Sequence, residues 1–266
     1  MTEKEYRQSE GISRSELWRL RESPEKFRWF QEHPEPSTPT LVFGSAVHKL
    51  LLEPDTFDAE FAVAPECDRR TKDGRDAYNA FLTASDGKNI IFSADYEKAA
   101  EMAQKALETP FVKKLLDGEH EKPFYWVDGL TGEGCKIRVD CISTIGGNPV
   151  IVDYKTTADA STDGFTRRVI NYGYDFQAGM YCEGVERVTG RKPLFVFVAQ
   201  EKTAPYAVNI FQADDLMVQR GYDIFRELIG TYHECKQTGN WFGYLGAYNV
   251  INNLSLPAWL AKDMEN

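Results

Sequence analysis

Apolar residues recur at helical spacing in some stretches of the chain and at strand-like spacing in others. The helical stretches are residues 14–22, a segment that begins after Ser23, and residues 41–52, 95–108, 110–116, 175–189 and 213–236. The strand-like stretches are residues 122–128, 133–143, 149–155, 194–200 and 206–211. This order predicts an α/β fold, in which helices flank a mixed central sheet of about five strands and further helices precede it.

Local signals indicate where several of these elements begin. Ser13 and Glu16 have the spacing of a capping box, and Pro24 follows Ser23 at a position suited to the first turn of a helix. The polar residues 1–10 are expected to be disordered, and residues 64–92 to be irregular. A single domain is expected, with its parts in the order helical N-terminal part (12–116), catalytic α/β core (120–236) and C-terminal tail (237–266).

The charge balance is acidic, with 31 Lys and Arg against 41 Asp and Glu, a formal charge of −10. This balance disfavours a protein that coats DNA generally, but it permits a local, metal-filled site. The five cysteines form no CxxC pair, so neither a disulfide framework nor a zinc site is expected. The chain has no run of 18 apolar residues and no apolar segment near residue 1, so a cytoplasmic protein away from membranes is expected.

The candidate chemistry lies in a predicted hairpin whose turn formers are residues 146–149. Asp140 lies late in the first strand, and Asp153 and Lys155 end the second. Residues two apart in a strand share a face, so Asp153 and Lys155 point the same way, and the hairpin can bring Asp140 beside them. Such a cluster is costly to bury unless a charged group binds there, and Mg²⁺ suits hard oxygen ligands.

This spacing has the form D-x(n)-(D/E)-x-K, which suits phosphodiester hydrolysis. Asp140 and Asp153 can hold one or two Mg²⁺ ions, and the backbone carbonyl of Tyr154 is a further candidate ligand. Lys155 can sit near the attacking water. The alternative interpretation is a surface ion pair, which contributes little to stability.

The arrangement resembles the PD-(D/E)xK nuclease superfamily and, within it, the RecB-like exonucleases. The matching segments are GSAVHKLL with His48, the RVD strand with Asp140, the VDYKTT strand with Asp153 and Lys155, and QAGMY with Gln177 and Tyr181. Three further segments are similar to the C-terminal nuclease domain of RecE-type exodeoxyribonuclease VIII: ISRSELWRLRESPEKF, EKPFYWVD and the hairpin at 133–157. The resemblance covers residues 12–262.

The resemblance implies a restriction-endonuclease-like core and a Mg²⁺-dependent exodeoxyribonuclease, in which Mn²⁺ can substitute for Mg²⁺. The implied reaction is 5′→3′ digestion from the ends of linear double-stranded DNA, which leaves a 3′ single-stranded overhang for recombination by strand annealing. The implied partners are copies of the same chain in a ring-shaped homo-oligomer, a tetramer, and a RecT-like single-strand annealing protein.

The resemblance also adds site residues, each with an alternative explanation. It implies that His48 joins the metal shell, although a lone histidine on an apolar helix is often a core residue. Glu121 matches an acidic position and would bind metal through water, or it is a solvated residue at a strand end. Gln177 would position Lys155 or the water and Tyr181 would contact phosphate, or both would pack a helix on the sheet, since residues four apart share a helical face.

Other candidates for contact with DNA are hydroxyl and basic side chains. Thr156 and Thr157 can donate hydrogen bonds to phosphate, but their β-propensity also explains them. Two basic clusters could contact phosphates or could equally be solvated charges. Their members are Arg69, Arg70, Lys72 and Arg75 in one cluster, and Arg167 and Arg168 in the other.

Two other functions remain open from the sequence. An endonuclease or single-strand nuclease of the same superfamily would use the same residues. A non-catalytic scaffold that binds DNA ends in recombination would have a decayed site, against which the intact Asp140, Asp153 and Lys155 argue.

Overall fold

Helices and strands alternate along the residues that the computed structural model describes, 3–246 and 251–256. The helices are α1 (Glu3–Gln8), α2 (Arg14–Glu22), α3 (Pro24–Glu32), α4 (Pro39–Leu52), α5 (Phe57–Glu60), α6 (Lys72–Ala84), α7 (Ser93–Glu108), α8 (Pro110–Leu115), α9 (Thr162–Tyr172), α10 (Tyr174–Thr189) and α11 (Asp215–Thr238). The strands are β1 (Ile12–Ser13), β2 (Phe61–Ala64), β3 (Asn89–Phe92), β4 (Gly118–Val127), β5 (Gly134–Ile145), β6 (Asn148–Thr157), β7 (Leu194–Glu201) and β8 (Val208–Gln212).

The central sheet is mixed, as the sequence predicts. Strand β5 pairs antiparallel with β4 and with β6, and parallel with the short β1. Strand β6 pairs parallel with β7, and β8 lies antiparallel at the edge of β7. A separate parallel pair joins β2 to β3.

Two hydrophobic clusters cover the two faces of this sheet. One contains Leu17 of α2, Phe176 of α10 and Phe225 of α11. The other contains Val47 of α4 and Met102 of α7. The α/β fold with helices on both faces of a mixed sheet is therefore confirmed.

The strands β5 and β6 separate next to the predicted site. Their ladder ends where Cys141 pairs with Val152, whereas β6 stays paired with β7 as far as Thr157. Beyond this point the backbone N–H of Tyr154 donates to the carboxylate of Asp140 at 2.8 Å. A side chain therefore replaces the lost backbone partner, and the sheet opens into a fork.

Several predicted helix starts are confirmed. The capping box of α2 forms, because the Ser13 hydroxyl accepts from the backbone N–H of Glu16 and the Glu16 carboxylate accepts from the backbone N–H of Ser13. Ser23 caps α3 with Pro24 in the first turn, and α7, α10 and α11 begin within two residues of the predicted positions.

The expectation of disorder at residues 1–10 is wrong for the described part, because residues 3–8 form α1. The buried ammonium of Lys136 explains this helix. It donates to the carbonyls of Tyr6, Arg7 and Ser9 at and just beyond the C-terminal end of α1, where carbonyls have no partner within the helix. The partner lies on β5, so no local pattern reveals it.

The expectation of an irregular segment at 64–92 is also wrong, since α6 and β3 lie within it. Thr71 caps α6, and β3 pairs with β2. Helix α9 was not predicted either, although Ser161 caps it and Gly173 ends it at a φ of 62°. Strand β4 begins at Gly118, so Glu121 lies inside the strand rather than before it.

The predicted tail folds back in part, as Phe242 accepts a hydrogen bond from the backbone N–H of Glu25 at the start of α3. Residues 247–250 and 257–266 of that tail lie outside the described residues. None of the described helices combines the length and the apolar character needed to cross a membrane.

Candidate active site at the sheet fork

A cavity of about 880 Å³ opens at the fork between β5 and β6. Its wall combines residues of several elements, including α1, α2, α4, β4 and α10. Of the residues named from the sequence, the lining includes His48, Glu121, Asp140, Lys155, Thr156, Thr157, Arg168, Gln177 and Tyr181. The fold therefore gathers most of the candidate residues around one space.

Asp140 and Glu121 lie opposite each other in the register of β5 and β4, because His120 pairs with Cys141 and Lys122 with Val139. The strands bend here. Glu121 has a positive φ of 48°, which interrupts β4. Residues two apart in a strand normally share a face, but Val139 packs in the hydrophobic cluster of Leu17 and Cys141 in that of Val47. Like charges directly opposite in a sheet destabilise it, so this position favours a bound cation.

His48, Glu121 and Asp140 form a group of possible metal ligands. One donor atom from each lies within 4.8 Å of the other two. Burial and the nearby Asp140 carboxylate raise the pKa of Glu121 to about 8. One imidazole and two partly buried carboxylates thus converge, which suits a divalent cation with oxygen and nitrogen ligands.

His48 reaches this group from α4, on the side of the sheet opposite to α10. Its Nδ1 lies 3.5 Å from Oδ2 of Asp140, and its ring meets the edge of the Tyr154 ring with centroids 5.1 Å apart. The side chain is 27% exposed and lines the cavity. The interpretation of His48 as an enclosed core residue therefore does not hold.

Asp153, which the sequence predicts as a metal ligand, is 1% exposed and is not a member of this group, so its role as a ligand stays a prediction. Lys155 Nζ is 2.7 Å from its Oδ2, and Gln177 Nε2 donates to its Oδ1. Burial and the charge of Asp140 raise the pKa of Asp153, against the effect of Lys155. Although burial alone would lower the pKa of Lys155, the charges of Asp153 and Asp140 outweigh it and raise that pKa, so the amine stays protonated.

The other predicted DNA contacts have mixed environments. Tyr181 lines the cavity, and burial raises its pKa well above the ordinary value, so its phenol stays neutral. Thr156 faces the cavity beside Gly44 of α4. The Thr157 hydroxyl donates to the carbonyl of Asp159 and so has a structural partner.

The basic clusters divide between two places. Arg168 lines the main cavity, and its guanidinium contacts Tyr172. Among the described lining residues, neither Arg167 nor the first cluster is present. Arg69 instead lines a separate cavity of about 260 Å³, and Arg70 pairs with Asp68. Contact of the 69–75 cluster with DNA at this site stays a prediction.

Sequence reasoning missed five basic residues of the main cavity, which are Arg7, Arg14, Lys49, Arg138 and Lys202. Arg14 of α2 donates to the carbonyl of Gly173 at 2.7 Å, and Lys49 of α4 is 2.7 Å from both Glu53 and Glu60. Arg138 pairs with Glu121 at 2.8 Å. The sequence could have indicated Arg138, because it lies two residues before Asp140 on the same predicted strand. The presence of Arg14 and Lys49 in the cavity depends on how α2 and α4 pack against the sheet, which no local pattern shows.

The arrangement combines a potential cation site with a protonated lysine next to it. The acidic group can neutralise a bound divalent cation, and the cation and Lys155 can together face an anionic substrate. The Tyr154 carbonyl as a metal ligand stays a prediction. Arg14, Arg138 and Arg168 add positive charge to the wall, so the cavity suits a phosphate-bearing ligand despite the acidic balance of the chain.

Comparison with solved structures gives the same fold. A structure described as "Putative exonuclease" from Eubacterium rectale aligns over 98% of this chain and 97% of its own, with a TM-score of 0.63 and 17% sequence identity. A structure named SSO0001 covers 70% of this chain and 85% of its own, at 14% identity and a TM-score of 0.31. Comparison with curated proteins found no significant match.

The family assignment rests on a match to a family model. The family model described as "PDDEXK-like domain of unknown function (DUF3799)" matches residues 13–253. That range includes both strands of the fork, α4 with His48 and α10 with Gln177. The chain therefore belongs to the DUF3799 family of PDDEXK-like domains, within the PD-(D/E)xK nuclease superfamily.

Proposed function

We propose that this protein is a Mg²⁺-dependent exodeoxyribonuclease that degrades linear double-stranded DNA from its ends. One observation carries the proposal: His48, Glu121 and Asp140 converge in an open cavity that Lys155 also lines. A surface ion pair does not explain this arrangement, because Asp153 is buried and the group lines a cavity.

The residues have separate roles in this proposal. His48, Glu121 and Asp140 hold the divalent cation, with Asp153 next to them on β6. When bound, the cation would neutralise charge on the scissile phosphate and lower the pKa of a water molecule. Mn²⁺ substitutes for Mg²⁺, since both accept oxygen ligands.

Lys155 acts as a charged donor through its ammonium, which the carboxylate of Asp153 holds at 2.7 Å. In that state it cannot remove a proton from water, but it can orient the attacking water and stabilise negative charge on the phosphate. Asp153 holds Lys155 in place on β6, and Gln177 of α10 in turn donates to Asp153. Tyr181 and Thr156 donate hydrogen bonds to the DNA backbone.

The direction and the setting of the reaction are further parts of the proposal. Resemblance to RecE-type exodeoxyribonuclease VIII and the description of the Eubacterium rectale protein favour exonuclease action. We propose 5′→3′ digestion that leaves a 3′ overhang for strand annealing. The setting is a cytoplasmic ring-shaped tetramer acting with a RecT-like annealing protein.

A time course on linear duplex DNA, labelled at the 5′ or the 3′ end, tests this proposal. With Mg²⁺, the 5′ label should be released first as mononucleotides, and a chelator should stop the reaction. Closed circular duplex is the control and should stay intact. Cutting of the circle would support an endonuclease instead, and DNA binding without any hydrolysis would support the scaffold.

A further inference from the structure

We propose that Arg138 binds a backbone phosphate of the DNA substrate, and that Glu3 occupies this phosphate position in the DNA-free protein. The inference rests on the proposed function and adds a substrate contact and a competing segment to it. It assigns a role to α1, which the chemistry above does not use.

Arg138 is placed to meet a phosphate next to the reacting group. It lies two residues before Asp140 on β5, so both side chains start from the same strand next to the fork. Its side chain is 18% exposed and lines the cavity. Nε donates to the Glu121 carboxylate at 2.8 Å, which fixes one edge of the guanidinium.

The other edge of the guanidinium is taken by a carboxylate from α1. Nη2 of Arg138 donates to Oε2 of Glu3, while Oε1 of Glu3 accepts from Arg7 at 2.5 Å. Glu3, Tyr6 and Arg7 all line the cavity. An acidic side chain therefore lies on a cationic wall of the space that the proposed function gives to DNA.

Several contacts hold the C-terminal part of α1 and the residue that follows it against the sheet. Lys136 holds the carbonyls at the C-terminal end of the helix, and the Tyr6 ring lies 5.2 Å from the Arg138 guanidinium carbon. The Tyr125 hydroxyl donates to Ser9 at 3.2 Å. These contacts fix the C-terminal end, so the Glu3 end can separate from Arg138 while the rest of α1 stays bound.

A carboxylate and a phosphate compete for the same donors. Both offer two oxygens that match the planar fork of a guanidinium. In addition, Glu3 brings a further acidic group to a region that already holds Glu121, Asp140 and Asp153. Replacement of Glu3 by a phosphate therefore keeps Arg138 satisfied, and DNA must displace Glu3 before it can use this contact.

The test compares Glu3→Gln with Glu10→Gln in the full-length protein. Both variants remove one negative charge, but Glu10 is exposed and outside the described cavity lining. Affinity for a linear duplex is measured by fluorescence anisotropy with Ca²⁺, so that hydrolysis does not interfere. We expect Glu3→Gln to bind DNA roughly 3- to 10-fold more tightly than Glu10→Gln, which is the effect of about one ordinary hydrogen bond.

A second pair of variants assigns this gain to Arg138. In an Arg138→Gln background, Glu3→Gln should change affinity no more than Glu10→Gln does, because the competed contact is missing. Thermal unfolding of each variant identifies any loss of fold. If Arg138→Gln does not fold, the comparison of Glu3→Gln with Glu10→Gln alone decides whether Glu3 competes with DNA.

The results separate this inference from the proposed function. Equal affinity of the Glu3 and Glu10 variants, or weaker binding by Glu3→Gln, would overturn the inference, even if the wild type degrades DNA as proposed. Failure of every variant to bind duplex DNA would overturn the proposed function and, with it, the contact assigned to Arg138.

Discussion

Asp140 has two tasks at the residue scale. One carboxylate oxygen accepts the Tyr154 N–H where the ladder of β5 and β6 ends, and the same side chain belongs to the group with His48 and Glu121. The first task stabilises the fork and the second concentrates negative charge there. A substitution that keeps one task and removes the other can therefore separate fold from function.

Asp140→Asn is such a substitution, because an amide oxygen can still accept from Tyr154 but carries no charge. We expect hydrolysis of linear duplex to fall by about 100-fold or more, which corresponds to about 3 kcal/mol of activation free energy. The melting temperature should change little. Initial rates and thermal unfolding measure the two effects.

Asp163→Asn is the control for Asp140→Asn, since Asp163 is exposed in the first turn of α9. It should hydrolyse DNA at the wild-type rate. Full activity of Asp140→Asn would contradict the assignment of the acidic group.

Lys155→Ala tests the charged donor. Removal of the amine should lower kcat by roughly 10²-fold, as for loss of one electrostatic donor in an active site. Binding of Ca²⁺, measured by calorimetry, should remain, because Lys155 is not a metal ligand. The control is Lys202→Ala, which removes a positive charge from the same cavity wall. An equal loss of rate in both variants would show a general charge effect.

At the scale of elements, α10 and α11 pack closely through glycines. A Cβ on Gly221 would lie 1.8 Å from the carbonyl oxygen of Asp175, and a Cβ on Gly179 would lie 2.1 Å from the backbone nitrogen of Tyr222. Helix α10 also carries Gln177, which donates to Asp153. The contact between these helices therefore positions one wall of the active site.

Gly221→Ala should separate the two helices. We expect a loss of about 1–3 kcal/mol in the free energy of unfolding, the usual cost of overpacking, together with lower activity. Gly230→Ala on the same helix meets no atom within 4 Å and should instead gain up to about 1 kcal/mol from helix propensity. Urea denaturation measures both, and equal stability of the two variants would contradict the packing argument.

The turn between β4 and β5 is attached to α11 by a buried ion pair. Asp128 accepts from Arg226 and also from the hydroxyl of Thr131 at 2.7 Å. Burial alone would raise the pKa of Asp128, but these hydrogen bonds outweigh it and lower the pKa to about 2. Because the folded pKa lies below the ordinary value, the ionised form stabilises the fold.

This pair should contribute about 1–2 kcal/mol above pH 4 and lose that contribution as the pH falls towards 2. Asp128→Asn should therefore be less stable than the wild type at pH 7, and the difference should shrink below pH 4. Urea denaturation across this range provides the measurement. A difference that does not vary with pH would show that the carboxylate charge is not the cause.

Elements with local signals could be predicted from the sequence, whereas those held by distant partners could not. In the capping box of Ser13 and Glu16, and likewise in the turn of the β5–β6 hairpin, the interacting residues are only a few positions apart in the chain. The local sequence pattern therefore indicates both features. Helix α1 needs Lys136, about 130 residues away. The position of Glu121 opposite Asp140 depends on the register of β4, which starts earlier than its apolar pattern indicates.

At the scale of the whole molecule, the net charge of −10 and the acidic group at the fork both bring negative charges close together in the folded state. Mutual repulsion of carboxylates destabilises the fold in the absence of a bound cation, and a cation that binds only the folded state stabilises it.

Ca²⁺ should therefore raise the melting temperature of the wild type in a saturable way. At 100 times the dissociation constant, the gain should be about 2.7 kcal/mol. The Asp140→Asn variant is the matched control and should gain much less. Differential scanning calorimetry measures both, and an equal gain with Na⁺ at the same ionic strength would indicate screening rather than a site.

The short parallel pair of β1 with β5 has a consequence for synthesis of the chain. Ile12 has no strand partner until Cys135 has left the ribosome, and Leu17 of α2 packs in a cluster that also needs Phe225. The apolar side of α2 therefore stays uncovered until α11 has been translated. A nascent chain that stalls before α11 should bind chaperones through this segment.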